Sequence, residues 1–204
     1  EKIKMPVMGE LVQVPGKGEA IVIGDGKRTV VAEQFRAVRT NLAFMGLSEK
    51  KNSLLVTSSI SGEGKSFVAM NLAISLTLTG KTVALMEMDL RKPKLSKILG
   101  VSKRPGTSSY LVGKAELKDI VKKTHIDRLY LVSAGPVPPN PTELISGEKF
   151  AELVEILKKE YDYVIMDTAP VSPVADAQLL QNYCDISLFV VRHAVTPRVF
   201  LPMV

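Results

Sequence analysis

The segment 57–66 constrains this chain more than any other, because it places a glycine-rich loop between an apolar run and a helical pattern. It reads Thr-Ser-Ser-Ile-Ser-Gly-Glu-Gly-Lys-Ser and follows the apolar run 54–56. Strand, glycine-rich loop and helix in this order are typical of a phosphate-binding loop, in which backbone N–H groups and a helix N-terminus face the phosphates. The strict pattern has glycine where Ser59 stands, so a glycine-rich turn with an exposed lysine is the alternative.

The loop predicts a nucleoside triphosphate and Mg²⁺ as ligands. We expect Lys65 to reach the terminal phosphates and the Ser66 hydroxyl to ligate Mg²⁺. Small residues are required here, because a Cβ would block the approach of the backbone to the phosphates. The predicted nucleotide-binding residues belong to the loop and the first helical turn: Ser61, Gly62, Glu63, Gly64, Lys65, Ser66 and Phe67.

The composition fits one soluble domain with a sizeable core, because 46% of the 204 residues are apolar and 24% are charged. The net charge of +6 comes from short, scattered basic clusters, and aromatic residues that could stack on bases make up only 5% of the chain. We therefore predict no nucleic-acid partner and interpret the charge as a basic face near phosphates or anionic lipid.

Cys184 is the only cysteine, which excludes an internal disulfide and a multi-cysteine zinc site and is consistent with a reducing compartment. The two histidines, His125 and His193, have no ligand cluster near them in the sequence and are assigned no role. No apolar run approaches the roughly 18 residues that span a bilayer. We expect a cytoplasmic domain, of the kind that a membrane protein can carry.

Apolar runs alternate with helical patterns after an irregular arm at residues 1–31 and a helix predicted over 32–47. Strands are predicted at 54–58, 82–88, 129–133, 163–167 and 187–192, and helices at 65–79, 115–123, 147–160 and 176–182. Strands that alternate with helices and are apolar throughout are typical of a parallel sheet covered on both faces. The expected fold is therefore α/β, a P-loop NTPase fold with a mostly parallel sheet and helices on both faces.

The domain division that we expect is an arm at 1–31 and a P-loop domain at 32–204. Thr196-Pro197 opens a helix that has only a few residues before Val204. We therefore expect the natural domain to continue beyond this C-terminus.

Two of the predicted strands lead into acids, at the sheet edge where parallel α/β proteins bind their ligands. Glu87 and Asp89 follow the run 82–86, and side chains two residues apart in a strand share a face. Asp167 follows another apolar run. A carboxylate after a buried strand is costly unless it is compensated, and Mg²⁺ held by Ser66 and phosphate oxygens would compensate it. The alternative is that these acids cap the helix or turn that follows.

Glu33, Arg36 and Arg39 recur at a spacing of three on the first predicted helix. Residues three apart are neighbours on a helix surface. From spacing alone, the three form a solvated ladder of charges on the outer face.

Five segments together resemble the cytoplasmic kinase domain of the bacterial protein-tyrosine kinases (BY-kinases), which regulate capsular and exopolysaccharide synthesis and export. These segments are residues 33–42 (EQFRAVRTNL), 57–66, 87–93 (EMDLRKP), 135–144 (GPVPPNPTEL) and 161–167 (YDYVIMD). The resemblance extends over most of the chain and is more specific than the phosphate loop alone. It implies an ATP-dependent protein-tyrosine autokinase that uses Mg²⁺ and phosphorylates protein tyrosines.

The resemblance also implies roles for individual residues. Lys65 and Ser66 match the first nucleotide motif of the family, Asp167 matches the acid of the second, and Glu87 with Asp89 matches a further acidic motif. The implied catalytic residues are Lys65, Glu87, Asp89 and Asp167, and the implied metal ligands are Ser66, Asp89 and Asp167.

Assembly and partners are implied in the same way. Glu33, Arg36 and Arg39 match a motif that joins family members into a ring, expected to be an octamer, in which each copy presents a C-terminal tyrosine cluster to its neighbour. A transmembrane activator, fused or separate, is the further partner, and the arm at 1–31 is where we expect its connection to arrive. The expected location is the inner face of the bacterial cell membrane.

Two features depart from the family pattern. The acidic motif of the family begins with Asp, and Glu87 stands in its place here, which moves the carboxylate outward by roughly 1.5 Å, one C–C bond. The five tyrosines form no terminal cluster, so we expect the phosphoacceptors in sequence beyond residue 204. Tyr161 and Tyr163 are expected at the core and its rim.

Two other functions remain open at this point. Partition and cell-division-site ATPases share the fold and act as nucleotide-driven switches, but they have a signature lysine where this chain has Ile60. A scaffold that binds nucleotide and forms rings without phosphate transfer is the second alternative, and Glu87 is the feature that supports it.

Overall fold

The computed structural model describes residues 5–14, 19–24, 26–172 and 176–203. Six strands form one sheet: β1 Ser53–Ser58, β2 Val83–Glu87, β3 Val121–Lys123, β4 Leu129–Val132, β5 Tyr163–Asp167 and β6 Ile186–Val190. They lie in the order β3-β4-β2-β5-β1-β6, and every neighbouring pair is parallel except β3 with β4. The predicted α/β fold with a mostly parallel sheet is confirmed.

Eight α-helices connect or flank these strands: α1 Val30–Phe44, α2 Lys65–Thr77, α3 Leu95–Ile98, α4 Thr107–Leu111, α5 Leu117–Ile120, α6 Pro141–Ile145, α7 Glu148–Glu160 and α8 Asp176–Gln181. A 3-10 helix at Arg198–Met203 follows β6, in the place where Thr196-Pro197 predicts a helix start. Within the described residues, no helix has the length and apolar character needed to cross a membrane.

The core has two layers because side chains along a strand alternate between the faces of the sheet. Leu54, Val56 and Ile165 join the layer under α1 and α2, whereas Leu55 and Met166 join the layer under α7 and α8. Helix α2 is apolar on nearly all sides, which fits its place between the sheet and the arm. The sheet is therefore covered on both faces, as predicted.

The helix predicted over 115–123 is wrong in its second half. The helix α5 is one turn long, with a capping box between Glu116 and Asp119 at its start. Val121 then leaves the helix with extended backbone angles and pairs antiparallel with Val132. Apolar spacing over so short a window does not separate a helical turn from an edge strand, and pairing with β4 decides the outcome. The other predicted elements are present, with ends shifted by a few residues.

The described parts of the arm up to Thr29 contain no helix or strand and lie on α1 and α2, whereas Val30 and Val31, predicted to belong to the arm, already form the start of α1. The Gln34 side chain on α1 accepts a hydrogen bond from the Val12 N–H at 2.8 Å. On α2, the Asn71 amide accepts from the Val22 N–H at 2.9 Å and donates to the Ala20 carbonyl at 2.9 Å. Because Asn71 is fully buried, these bonds fix the arm against the helix that follows the phosphate loop.

Candidate active site

The phosphate loop emerges from the carboxyl end of β1 and is shaped for close approach of an anion. Gly62 and Gly64 have φ angles of +93° and +103°, a region that residues with a Cβ rarely adopt. A Cβ built on either glycine meets no atom within 4 Å, so the space beside the loop is open. Open space beside exposed backbone N–H groups is what phosphate binding requires.

Helix α2 begins directly after Gly64, and its first intrahelical bond runs from the Val68 N–H to the Gly64 carbonyl at 2.9 Å. The N–H groups of 65–67 therefore have no partner within the helix and are free to donate to phosphate oxygens. The Phe67 ring packs on Phe35 with centroids 5.7 Å apart. Of the predicted nucleotide-binding residues, Phe67 can thus contribute only its backbone.

Lys65 and Asp89 form a buried ion pair next to the loop. The Lys65 Nζ lies 3.5 Å from the Asp89 Oδ2, and the two residues are only 6% and 7% exposed. The other Asp89 oxygen, Oδ1, accepts a hydrogen bond from the Lys92 N–H at 3.0 Å. The structure thus brings together two residues that the sequence predicts to share one site.

Asp167 stands at the end of β5 with an acceptor that has no partner. It is 1% exposed, and its Oδ1 makes no hydrogen bond within the described part of the chain. Burial raises the pKa of Asp167 to about 7, and the charges of Asp89 and Glu87 add to this effect, while Ser66 and Lys65 oppose it. A buried acceptor without a donor beside a phosphate-shaped loop is the feature that a cation would satisfy.

The donor set suits Mg²⁺ in particular. Mg²⁺ prefers oxygen ligands and is commonly held by one or two carboxylates together with substrate phosphates and water. Ser66, Asp89 and Asp167 supply such oxygens around the loop. Among the residues that the structure describes, no three His, Cys, Asp or Glu side chains form a metal-binding cluster by themselves. The chain therefore fits a metal that arrives with the nucleotide.

Glu87 is placed differently from the other acids. It is fully buried, and its Oε1 accepts hydrogen bonds from the Ser96 N–H at 3.1 Å and the Ser96 hydroxyl at 3.3 Å. Its Oε2 accepts from the Ala134 N–H at 3.2 Å. Because β2 ends at Glu87, Asp89 lies beyond the strand on which the sequence predicts the two acids to share a face. Glu87 instead joins the loops that follow β2 and β4.

A segment after β6 holds the phosphate loop from outside. The Arg192 Nη1 donates to the Gly62 carbonyl at 2.9 Å, and the Thr196 hydroxyl donates to the Glu63 carboxylate. That carboxylate is only 4% exposed and also accepts from the Ile60 N–H at 2.7 Å. Sequence reasoning missed Arg192 and Thr196, because contacts across some 130 positions leave no local pattern.

Asp176 is a second functional candidate that the sequence did not reveal. It is 1% exposed, accepts from the Thr142 hydroxyl at 3.0 Å and lies 3.4 Å from the Arg91 Nε. These contacts connect the segment after Asp89 with α6 and α8. The only available signal was an acid at a helix start, which is a common capping position.

The residues predicted to form a subunit interface have partners within the chain. Glu33 and Arg36 form an ion pair on α1, and Arg36 also donates to the Lys27 carbonyl at 3.1 Å. Arg39 turns toward α2 and donates to the Ser75 hydroxyl at 3.2 Å. Glu33 and Arg36 are therefore in contact, as their spacing predicts. Arg39 instead connects α1 with α2.

Comparison with known proteins places this geometry in a family. Residues 49–191 match the ParA family, described as NUBPL iron-transfer P-loop NTPase. The tyrosine-protein kinase YwqD of Bacillus subtilis is 37% identical over 171 residues, which cover 84% of this chain and 72% of that protein. The tyrosine-protein kinase CpsD of Streptococcus agalactiae serotype III is 41% identical over 157 residues, covering 75% of this chain and 66% of that protein.

Two kinds of solved structure share this fold, and they match the chain to different extents. The chimerical protein CapA2B2 superposes with a TM-score of 0.88 at 30% identity, over 98% of this chain and 86% of that one. The septum site-determining protein MinD of Pyrococcus horikoshii, complexed with Mg-ADP, reaches a TM-score of 0.60 at 25% identity, over 69% of this chain and 57% of that one. With kinase relatives matching over most of their length and the P-loop confirmed in the structure, the chain belongs to the family of bacterial protein-tyrosine kinases.

Proposed function

We propose that this chain is an ATP-dependent protein-tyrosine autokinase that controls the synthesis or export of a polysaccharide. The observation that carries the proposal is the buried Lys65–Asp89 pair beside the partnerless oxygen of Asp167, at the open face of the phosphate loop. A nucleotide switch needs the same loop, but the tyrosine-protein kinase YwqD matches 84% of this chain and MinD matches 69%.

The chain's residues divide the work of nucleotide binding. Backbone N–H groups of 62–66 donate to the phosphates, and Lys65 neutralises the terminal ones. Ser66 and Asp167 would hold Mg²⁺, which supplies charge neutralisation on the phosphoryl oxygens when it is bound. Asp89, the third predicted metal ligand, is kept for the second substrate in this mechanism. Transfer of Lys65 from Asp89 to the phosphates would leave the Asp89 carboxylate free to act on the second substrate.

Asp89 is the residue that we assign to the acceptor tyrosine. The tyrosine oxygen attacks the terminal phosphorus, the bond from that phosphorus to the bridging oxygen breaks, and ADP departs with the electron pair. The phenolic proton passes to Asp89 late, as the new oxygen–phosphorus bond forms, because a free tyrosine with a pKa of about 10 does not give it up to a carboxylate beforehand. Glu87 was the other candidate base, and its three hydrogen bonds favour a role in positioning the loops around Asp89.

We propose that the active form is a ring of copies, an octamer by resemblance, in which each copy phosphorylates a C-terminal tyrosine cluster of its neighbour. Glu33 and Arg36 lie partly exposed on α1 and are available to a neighbouring copy. A transmembrane activator, fused or separate, would connect through the arm and hold the domain of residues 32–204 at the inner face of the cell membrane.

Phosphotyrosine formation tests the proposal. The chain is mixed with ATP, Mg²⁺ and a tyrosine-rich peptide, beside a Lys65→Met control, and the products are measured by mass spectrometry. Label that depends on Lys65 supports a tyrosine kinase. ATP turnover or binding without label, in this chain and in a longer chain with its activator, would favour the switch or the scaffold.

A further inference from the structure

The segment that follows Asp89 concentrates the positive charge of the chain. Residues 91–123 contain ten Lys or Arg and two Asp or Glu, a net charge of +8, whereas the whole chain carries +6. Eight of the ten basic residues are exposed: Arg91, Lys92, Lys94, Lys97, Arg104, Lys114, Lys118 and Lys123. We call these eight residues the basic surface. Ten of the 27 Lys and Arg residues therefore fall in one segment that contains only two of the 21 acids.

The charge of this surface is not neutralised from within. The two acids of the segment, Glu116 and Asp119, form the capping box of α5. Across the described residues, Arg91 is the only member of the basic surface that forms an ion pair, with the buried Asp176. A surface with this much unpaired charge attracts an anionic partner and repels a cationic one.

The basic surface begins at the catalytic end of the sheet. Lys92 is tied through its backbone to Asp89, and α3 follows with Ser96 bonded to Glu87. The segment then passes the end of β4, where the Thr107 N–H donates to the Ser133 carbonyl. It ends in the edge strand β3. A chain that presents a tyrosine to Asp89 would pass the first residues of this surface.

We propose that the basic surface selects acceptor tyrosines that are flanked by acidic residues. This inference rests on the proposed kinase function and names its substrate class. The catalytic acids and the nucleotide phosphates are all negative, so an acidic acceptor would be repelled unless positive charge beside the site compensates. Lys94 precedes α3, Lys97 lies on it, and both are exposed. Ser96, between them, is bonded to Glu87 at the end of β2, which places α3 at the same end of the sheet as Asp89.

An anionic membrane is the other class of partner that a basic surface can bind. Membrane-surface helices combine basic residues with a large apolar face. Here α3, α4 and α5 have only four or five residues each, and the exposed large apolar residues within 91–123 are Ile98 and Val112. The position beside Asp89 and the lack of an apolar face favour a peptide.

Peptide binding that does not depend on catalysis tests the inference. Two fluorescent peptides carry Phe in place of the acceptor Tyr, one with Glu flanks and one with Gln flanks, and their anisotropy is measured with the full chain and Mg-ADP. We expect tighter, salt-sensitive binding of the Glu peptide. Lys94→Gln/Lys97→Gln should weaken that binding roughly two- to tenfold, as expected for two exposed ion pairs, and leave the Gln peptide unaffected.

The matched control is Lys50→Gln/Lys159→Gln, which removes the same charge at the opposite end of the sheet, before β1 and β5. Equal binding of both peptides, or equal weakening by both double variants, would overturn the inference. Loss of binding to phosphatidylserine vesicles in Lys94→Gln/Lys97→Gln, without a peptide preference, would assign the surface to the membrane instead. Selective Glu-peptide binding in a chain that phosphorylates neither Tyr peptide would retain the acid-binding surface and reject the kinase function.

Discussion

The Lys65 Nζ lies 3.5 Å from the Asp89 Oδ2, and both side chains are almost completely buried. A buried charge that loses its partner is far more costly than the pair itself is favourable. The pair thus keeps the Lys65 charge next to the loop, where it can move to the nucleotide phosphates. Removal of either partner leaves the other charge buried and unpaired, which destabilises the chain.

Lys65→Met should abolish phosphate transfer and destabilise the chain, because Asp89 is left buried without its cation. The expected loss in the free energy of unfolding is about 3 kcal/mol. Lys65→Met/Asp89→Asn should recover most of that stability while remaining inactive, because the double change removes both charges. Urea unfolding of the two variants measures the difference, and equal stabilities would show that the pair is not coupled.

Asp167 should make the nucleotide-free chain less stable as the pH rises. Its folded pKa of about 7 lies above the ordinary value of 3.8 for an aspartate, so between these pH values the folded state holds a proton that the unfolded state has lost. The stabilisation is complete below the unfolded pKa and is lost as the pH rises through about 7. We expect a lower melting temperature at about pH 8 than at about pH 5 from this group.

Asp167→Asn is the matching substitution, since it keeps the shape and removes the charge. It should flatten the pH dependence and raise the stability of the nucleotide-free chain above neutral pH, while it abolishes the stabilisation that Mg-ADP gives to the parent chain. Calorimetry with and without Mg-ADP separates the two effects. A pH dependence that persists unchanged in Asp167→Asn would assign it to another group.

Glu87→Gln distinguishes a catalytic base from a structural acceptor. The Gln amide nitrogen would face a backbone donor, either Ser96 or Ala134, so we expect a loss of about 1–3 kcal/mol in unfolding free energy. If Glu87 positions loops, kcat measured below the unfolding transition should fall only modestly. Asp89→Asn serves as the comparison, and a kcat for Glu87→Gln as low as that of Asp89→Asn would restore Glu87 as the base.

Thr196→Val should weaken nucleotide binding by loosening the phosphate loop. The change removes the hydroxyl that donates to Glu63, and the expected loss is about 1 kcal/mol, roughly a fivefold rise in Kd for ATP. Thr79→Val is the control, because it removes an exposed hydroxyl at the far end of α2. Titration with a fluorescent ATP analogue gives both constants, and equal Kd values would exclude the contact as a support of the loop.

Glu33→Arg should prevent ring assembly without unfolding the chain. Glu33 is 60% exposed in its side chain, so the stability change should stay within about 0.5 kcal/mol. Sedimentation velocity compares it with Glu152→Arg, an exposed site on α7. Arg39→Ala is a poorer test, because Arg39 also braces α1 against α2 through Ser75. Identical sedimentation of both Arg variants would rule out α1 as the interface.

The fold was predictable because its central strands are rich in apolar residues and alternate with helical patterns along the chain. The positions of Lys65, Asp89 and Asp167 were also predictable, because Lys65 follows the glycine-rich loop, Asp89 comes two residues after β2 and Asp167 ends β5. Their roles stay predictions. The second half of the helix predicted over 115–123 was not predictable as a strand, because apolar spacing over so short a window does not separate a helical turn from an edge strand, and only pairing with β4 distinguishes them.

Long-range hydrogen bonds account for the other features of the site that the sequence did not predict. Arg192 and Thr196 hold a loop that lies far away in sequence, and no residue pattern around them indicates it. Glu87 was predictable as a strand-end acid but not as an acceptor for three donors, because Ser96 comes from α3 and Ala134 from the loop after β4. Burial of a charged group is visible in a sequence, whereas its partner is not.

Asn71 gives the arm a physical connection to the nucleotide. It lies on the same helix as Lys65 and holds Ala20 and Val22 by hydrogen bonds at its buried amide. If phosphate binding displaces this helix, the affinity of the arm for α2 must change. By linkage, the affinity for nucleotide then changes by the same factor when the arm is pulled away from α2. A tether that pulls on the arm would then change the affinity of the site for nucleotide, and nucleotide binding would in turn change how firmly the arm is held on α2.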